Sequence, residues 1–167
     1  MLDLRQFSLL LLLLVGLLAA CGGGETTSSE EADVATDFTL ARLGGGDVTL
    51  SDHRGQFVLI NFWATWCIPC RAEMPYLQEV DDAYGDDFIV LAVNMGEDED
   101  RVRPFIEEMG YTYPILLNPP QEMTREHNVR GLPVSFIVGP DGDIVYRRVG
   151  EILPEEFDLW LEENVVQ

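Results

Sequence analysis

Lysine is missing from this chain. All ten basic residues are arginine, set against thirty Asp and Glu, for a formal charge of −20. So acidic a balance excludes a nucleic-acid partner, whose phosphates call for a basic footprint. It says little about fold. It suits either a soluble, self-repelling surface or an environment of high salt, where acidic charge is screened. Histidine is nearly absent: His53 and His127 stand far apart in sequence and not at finger spacing. With three cysteines in all, a four-ligand zinc site is not provided for, and the two histidines read as polar surface or satisfied residues. A comfortable membrane span is lacking too. The apolar run Phe7 to Ala20 falls short of the roughly 20 residues a spanning helix needs. Glu97-Asp98-Glu99-Asp100 lacks the alternating ligands and closing glutamate of a calcium loop, and fits a helix N-terminus, where negative charge is favoured. The glycine triplet at 22–24 follows no strand, and that at 44–46 better fits the turn of a hairpin, so neither is a phosphate loop. No cofactor is called for.

What the chain does have is a pair of thiols, Cys67-Ile68-Pro69-Cys70, directly after the apolar run Phe57–Trp63 and directly before Arg71–Val80. The first stretch predicts a buried strand and the second a helix. A thiolate is the nucleophile of disulfide exchange. A cysteine at a helix N-terminus faces unpaired amides and the positive end of the dipole, which favour that thiolate. Cys67 is therefore expected to be the exposed attacker. Cys70, one turn further in, is expected to be the buried thiol that resolves the mixed disulfide. Pro69 is tolerated in a first turn; Pro75, deeper in, is expected to kink the helix.

Elements alternate through the rest of the chain. Phe38–Arg42 and Val48–Leu50 predict a hairpin around Gly44–Gly46. Strands are predicted at 57–63, 88–94 and 115–117, and helices at about 68–84, 98–109 and 120–127. Val134–Val138 and Ile144–Val149 flank the turn Pro140-Asp141-Gly142-Asp143, and a helix at about 154–165 closes the chain. Strands without alternation, separated by helices, predict an α/β fold whose central sheet is covered on both faces. The last hairpin makes that sheet mixed.

The N-terminus reads as an address. Residues 1–20 carry Arg5 and an apolar core, and end in Leu18-Ala19-Ala20-Cys21. Small residues before a cysteine resemble the lipobox of bacterial lipoproteins, which implies cleavage before Cys21 and lipid attachment to it. That accounts for the odd cysteine. Residues 21–36, rich in glycine, serine and acid, predict a flexible tether reaching roughly 50 Å. A folded domain is expected over 37–167.

Phe62-Trp63-Ala64-Thr65-Trp66-Cys67-Ile68-Pro69-Cys70, with Gly131-Leu132-Pro133-Val134-Ser135-Phe136-Ile137 further on, resembles the thioredoxin-like proteins. The membrane-anchored TlpA/ResA group of cytochrome c maturation reductases is the most similar. The resemblance implies a thioredoxin fold with an N-terminal β-hairpin and an extra strand–helix unit near 88–110. It implies a cis Leu132–Pro133 bond facing the dithiol, and a substrate-docking surface of Trp66, Pro69, Leu132 and Pro133. Where thioredoxin has a buried aspartate this chain has Asn61, which carries no proton. Glu73 matches an acidic position of the ResA-like group and is expected either to assist proton transfer at Cys70 or to be an ordinary helix-face acid. The activity implied is an extracytoplasmic thiol-disulfide oxidoreductase, lipid-anchored to a bacterial membrane. It would reduce disulfide-containing proteins such as apocytochrome c, with electrons from a membrane thiol donor of DsbD/CcdA type. An oxidant or isomerase role, a thiol peroxidase of AhpC/TSA type and a non-enzymatic binding lipoprotein are the alternatives. The peroxidase alternative lacks its threonine or serine, because Ala64 stands three residues before Cys67.

Overall fold

Phe57–Trp63 forms strand β3, and six of its seven residues are buried. A strand so uniformly apolar is stable only between neighbours, with both faces covered. In the computed structural model, which describes residues 33–166, it has both. It pairs in parallel with β4, Phe88–Asn94, and antiparallel with β6, Val134–Val138. The seven-stranded sheet has the order β2-β1-β5-β4-β3-β6-β7. Here β1 is Thr39–Arg42, β2 Asp47–Thr49, β5 Ile115–Leu117 and β7 Ile144–Val149. Alternate residues of the central strands feed two hydrophobic cores, one on each face. Leu59, Trp63 and Ile137 lie in one, and Ile60, Phe62 and Phe136 in the other. Edge strand β7 instead alternates half-buried and exposed residues, since only one of its faces is covered.

Helix α1 runs Ile68–Tyr84, α2 Glu99–Met109, α3 Gln121–Glu126 and α4 Pro154–Asn164. Helix α1 continues through Pro75. Gly110 ends α2 in the left-handed region, φ 75°, donating its N–H to Ile106, which glycine does at no steric cost. Phe157 and Leu161 bury one face of α4. Phe157 packs edge-on to Tyr146 with ring centroids 5.4 Å apart and lies stacked on Trp160 at 5.9 Å.

These elements reproduce the expected mixed α/β architecture, hairpin included. The sequence does not say where the hairpin goes: it extends the sheet by pairing β1 with β5, Ala41 opposite Leu117. The folded unit also reaches back to Asp33, before the expected boundary at 37. Val34 bridges to Asp143, Ala35 donates to Gly142 O, and Ile144 donates to Asp33 O. Alongside these bonds, Ala35, 4% exposed, is buried in the second of the two cores. The expected signal segment, Cys21 and most of the expected tether lie outside the described residues. Among the described residues no helix is long and apolar enough to cross a membrane.

Candidate active site

At the C-terminal end of β3 the chain leaves the sheet through Ala64-Thr65-Trp66 and enters α1 at Cys67. A Cys67 N–H to Ala64 O bond of 3.1 Å closes this turn. Cys67 is the N-cap of α1, in extended conformation, and its Sγ accepts the Cys70 N–H at 3.3 Å. The sulfur thus meets a first-turn amide, as its position predicts. Cys67 and Cys70 are joined as a disulfide with Cα atoms 5.3 Å apart, within the usual range. Cys70 is fully buried. Cys67 is only 4% exposed, which corrects the expectation of an open attacker. In the oxidised pair its sulfur is turned back toward Cys70. Accessibility at this site comes from its neighbours: Trp66 is 63% and Ile68 79% exposed, and Pro69 is exposed too.

The Leu132–Pro133 bond is cis. Register places this loop: Val134 lies opposite Phe62, so Pro133 arrives beside the end of β3 from which the cysteine turn departs. Leu132 packs against the core cluster that contains both cysteines. Trp63 is fully buried, while Trp66 is not.

Beneath the dithiol, Glu73 is 2% exposed, so it is no ordinary helix-face acid. It lies three residues after Cys70 on α1, hence on the same face one turn along. One carboxylate oxygen accepts from Asn61 Nδ2 at 2.8 Å and the other from the Ile152 N–H at 2.6 Å. Asn61 Nδ2 also donates to Ser135 Oγ at 2.9 Å, while Asn61 Oδ1 is buried without a partner. Burial pushes the Glu73 carboxyl up to about 7, against the lowering effect of its two N–H donors. A buried acid that titrates near neutrality can exchange a proton where a permanently ionised one cannot.

The acid run at 97–100 divides differently from its sequence reading. Helix α2 begins at Glu99 with Asp98 as N-cap. Glu97 precedes it, is 8% exposed, and points back at the cysteine turn. Its carboxylate accepts the Thr65 N–H at 2.7 Å, the Thr65 hydroxyl at 2.6 Å and Asn94 Nδ2 at 2.9 Å, and pairs with Arg101 Nε at 2.9 Å. Sequence reasoning missed this group, as it missed Ser135 and the Ile152 N–H. A lone acid beside a run of exposed ones carries no signal of burial.

His127, 4% exposed, stacks on Phe136 at 4.5 Å and is no part of the site; His53 is half-buried in the turn before β3. Among the described residues no group of three or more His, Cys, Asp or Glu is arranged to hold a metal ion.

A dithiol at a helix N-terminus, on this fold, beside a cis-proline loop, defines a thioredoxin-fold thiol-disulfide oxidoreductase. The chain belongs to the AhpC/TSA family, whose model matches residues 32–147. It is 38% identical over 129 residues to the thiol-disulfide oxidoreductase ResA of Geobacillus kaustophilus, covering 77% of this chain and 74% of the relative. Among solved structures it is similar to the thioredoxin domain of a thiol-disulfide oxidoreductase of Bacteroides vulgatus. The TM-score is 0.72 and the identity 28%, over 80% of this chain and 96% of that one. It is also similar to the exposed lipoprotein thioredoxin Etrx1 of Streptococcus pneumoniae, with TM-score 0.68 and 28% identity over 77% of this chain and 99% of that one.

Proposed function

We propose that this protein is a reductant of protein disulfides outside the cytoplasm, with Cys67 as attacking and Cys70 as resolving thiol. The observation that carries the reading is the Cys67–Cys70 pair at the N-terminus of α1, with the Cys67 sulfur on a first-turn amide. The Cys67 thiolate attacks one sulfur of a substrate disulfide, forming a mixed disulfide and releasing one substrate thiolate. The Cys70 thiolate then attacks Cys67 Sγ, closing the Cys67–Cys70 bond and releasing the second. Two electrons pass to the substrate, whose thiolates take up the two protons that the cysteines gave up. A thiol donor, which the resemblance suggests is a DsbD/CcdA-type membrane protein, reverses the process to reload the pair.

Glu73 has a part in this cycle as the group that takes and returns the Cys70 proton. Its support is position, one turn from Cys70, and a carboxyl raised to about 7. Asn61 cannot titrate, but turning its amide over would offer the unpartnered Oδ1 to a protonated Glu73 and to the Ser135 hydroxyl. Trp66, Ile68, Pro69 and Leu132 supply the apolar surface for the substrate chain, and Pro133 positions the loop beside it. Apocytochrome c is the substrate suggested by resemblance.

Membership of the AhpC/TSA family does not favour a peroxidase. Position 64 offers no hydroxyl, and the neighbouring Thr65 hydroxyl is taken up by Glu97. For location, the reading is that residues 1–20 are removed and that Cys21 carries lipid, with the following residues as tether.

Trapping tests the proposal. Cys70→Ser in cells of the source organism should accumulate mixed disulfides between Cys67 and its substrate proteins, because no resolving thiol remains. Absence of such adducts, together with failure of the wild-type protein to reduce insulin, would overturn it. Mass spectrometry of the membrane fraction should find a chain starting at lipid-modified Cys21; retention of residues 1–20 refutes the anchor.

A further inference from the structure

Thr65 sits inside the turn that presents Cys67, beyond the last paired residue of β3. Its N–H has no strand partner. The Ala64 carbonyl takes the Cys67 N–H, and nothing in the turn's own backbone takes the Thr65 N–H. Glu97, thirty-two residues on, fills both needs of that residue, accepting its N–H at 2.7 Å and its hydroxyl at 2.6 Å. The carboxylate is itself fixed. Asn94, fully buried at the end of β4, donates to it and accepts the Glu97 N–H at 3.3 Å, and Arg101 covers it from α2. One more bond, Met95 N–H to Trp63 O at 2.9 Å, ties the two strand ends together just below. The loop leaving β4 is therefore built around the loop leaving β3.

We propose that Glu97 is a positioning residue of the dithiol: by gripping Thr65 it holds the Ala64–Cys67 turn in its ring-closed geometry after the disulfide has opened. This rests on the exchange cycle proposed above and adds a residue to it. In the oxidised protein the Cys67–Cys70 bond itself restrains the turn. In the reduced protein that restraint is gone, and within the turn the Cys67 N–H to Ala64 O bond and the grip on Thr65, to which Arg101 Nε adds a bond to the hydroxyl at 3.3 Å, keep it in place. Burial pushes Glu97 up, but the Thr65 hydroxyl, Asn94, the Thr65 N–H and Arg101 outweigh it and keep the carboxyl below its ordinary value, so the grip stays ionised at neutral pH. A turn held near its closed form keeps the Cys67 sulfur close to Cys70, which raises the effective concentration of one thiol at the other and favours ring closure. Releasing the turn lowers it and leaves the pair more oxidising.

The measurement is the equilibrium of the purified protein with glutathione. Two protein thiols and one glutathione disulfide give the Cys67–Cys70 disulfide and two glutathione thiols, a transfer of two electrons and two protons. Glu97→Ala should weaken ring closure about tenfold, a rise of ~30 mV for a two-electron couple. Thr65→Val, which keeps the N–H and loses the hydroxyl, should move it in the same direction by less. The double variant should move by less than the sum of the two, since both act mainly through the Thr65–Glu97 contact and only the Arg101 bond to the hydroxyl is separate. An unchanged equilibrium in both single variants, with only the melting temperature lowered, overturns the proposal and leaves Glu97 a brace. So do effects that simply add. Thr65→Val keeps the test valid if Glu97→Ala does not fold. Because the readout uses glutathione and no protein substrate, the reductase reading can fail in the trapping experiment without deciding this one.

Discussion

Replacing Glu73 with glutamine removes the one buried carboxyl beneath the dithiol, and the effect on stability has a definite sign. In the folded protein this carboxyl titrates at about 7 rather than its ordinary 4.5. Between those values the native state holds a proton that the unfolded chain has released. Stability from this group is therefore fully present below pH 4.5 and is lost as pH rises toward 7. The gap from 4.5 to about 7, at about 1.36 kcal/mol per pH unit, amounts to ~3 kcal/mol. Glutamine does not titrate and, like the protonated acid, offers one good acceptor to Asn61 Nδ2 and the Ile152 N–H. The variant should thus start close to the wild type at low pH and become the more stable of the two as pH rises toward 7. Urea unfolding of the disulfide-bonded form of both proteins, from about pH 5 to pH 8, reads the difference. The contribution of the other acidic residues largely cancels in that difference. A gap between the two proteins that stays constant to within ~0.5 kcal/mol across the range refutes a raised Glu73 and, with it, its role in moving the Cys70 proton.

Other predictions follow from the core. Phe157→Ala empties the centre of an aromatic cluster in which its ring meets Tyr76, Phe88, Tyr146 and Trp160. The cost should be about 3–5 kcal/mol in urea unfolding, and a cost under ~1 kcal/mol contradicts the packing described. His127 is buried with Nε2 unpartnered; burial, then the charge of Arg147, holds its pKa below the ordinary 6.5. The unfolded chain takes up a proton more readily, so wild-type stability should fall as pH drops below 6.5. His127→Phe keeps the stack on Phe136 and should flatten that fall; an identical acid slope in both proteins counts against it.

Much of this fold is legible locally. Strands 57–63 and 88–94 announce themselves as unbroken apolar runs. The span of α1 and the stop of α2 at Gly110 follow from helical spacing and from glycine's freedom at φ 75°. What escapes is the contact made across distance. The hairpin joins β5 some seventy residues on, because β5 would otherwise be an edge. Ile152 reaches Glu73, and Ser135 reaches Asn61, from elements that only tertiary packing brings there. Glu97 was hidden among exposed acids because one buried carboxylate and three solvated ones are spelled alike. The near burial of Cys67 escapes as well, since whether its sulfur faces solvent or Cys70 depends on the closed ring and not on the residues around it.

That the Cys67–Cys70 pair gives electrons rather than taking them is the claim on which the rest depends. The direct measurement is the reduction potential of the pair in equilibrium with dithiothreitol or glutathione at neutral pH. The account predicts a value in the reducing range, about −270 mV or lower, where thioredoxin lies. A value near −120 mV, the range of a disulfide oxidant, would contradict it and make the protein a donor of disulfides instead.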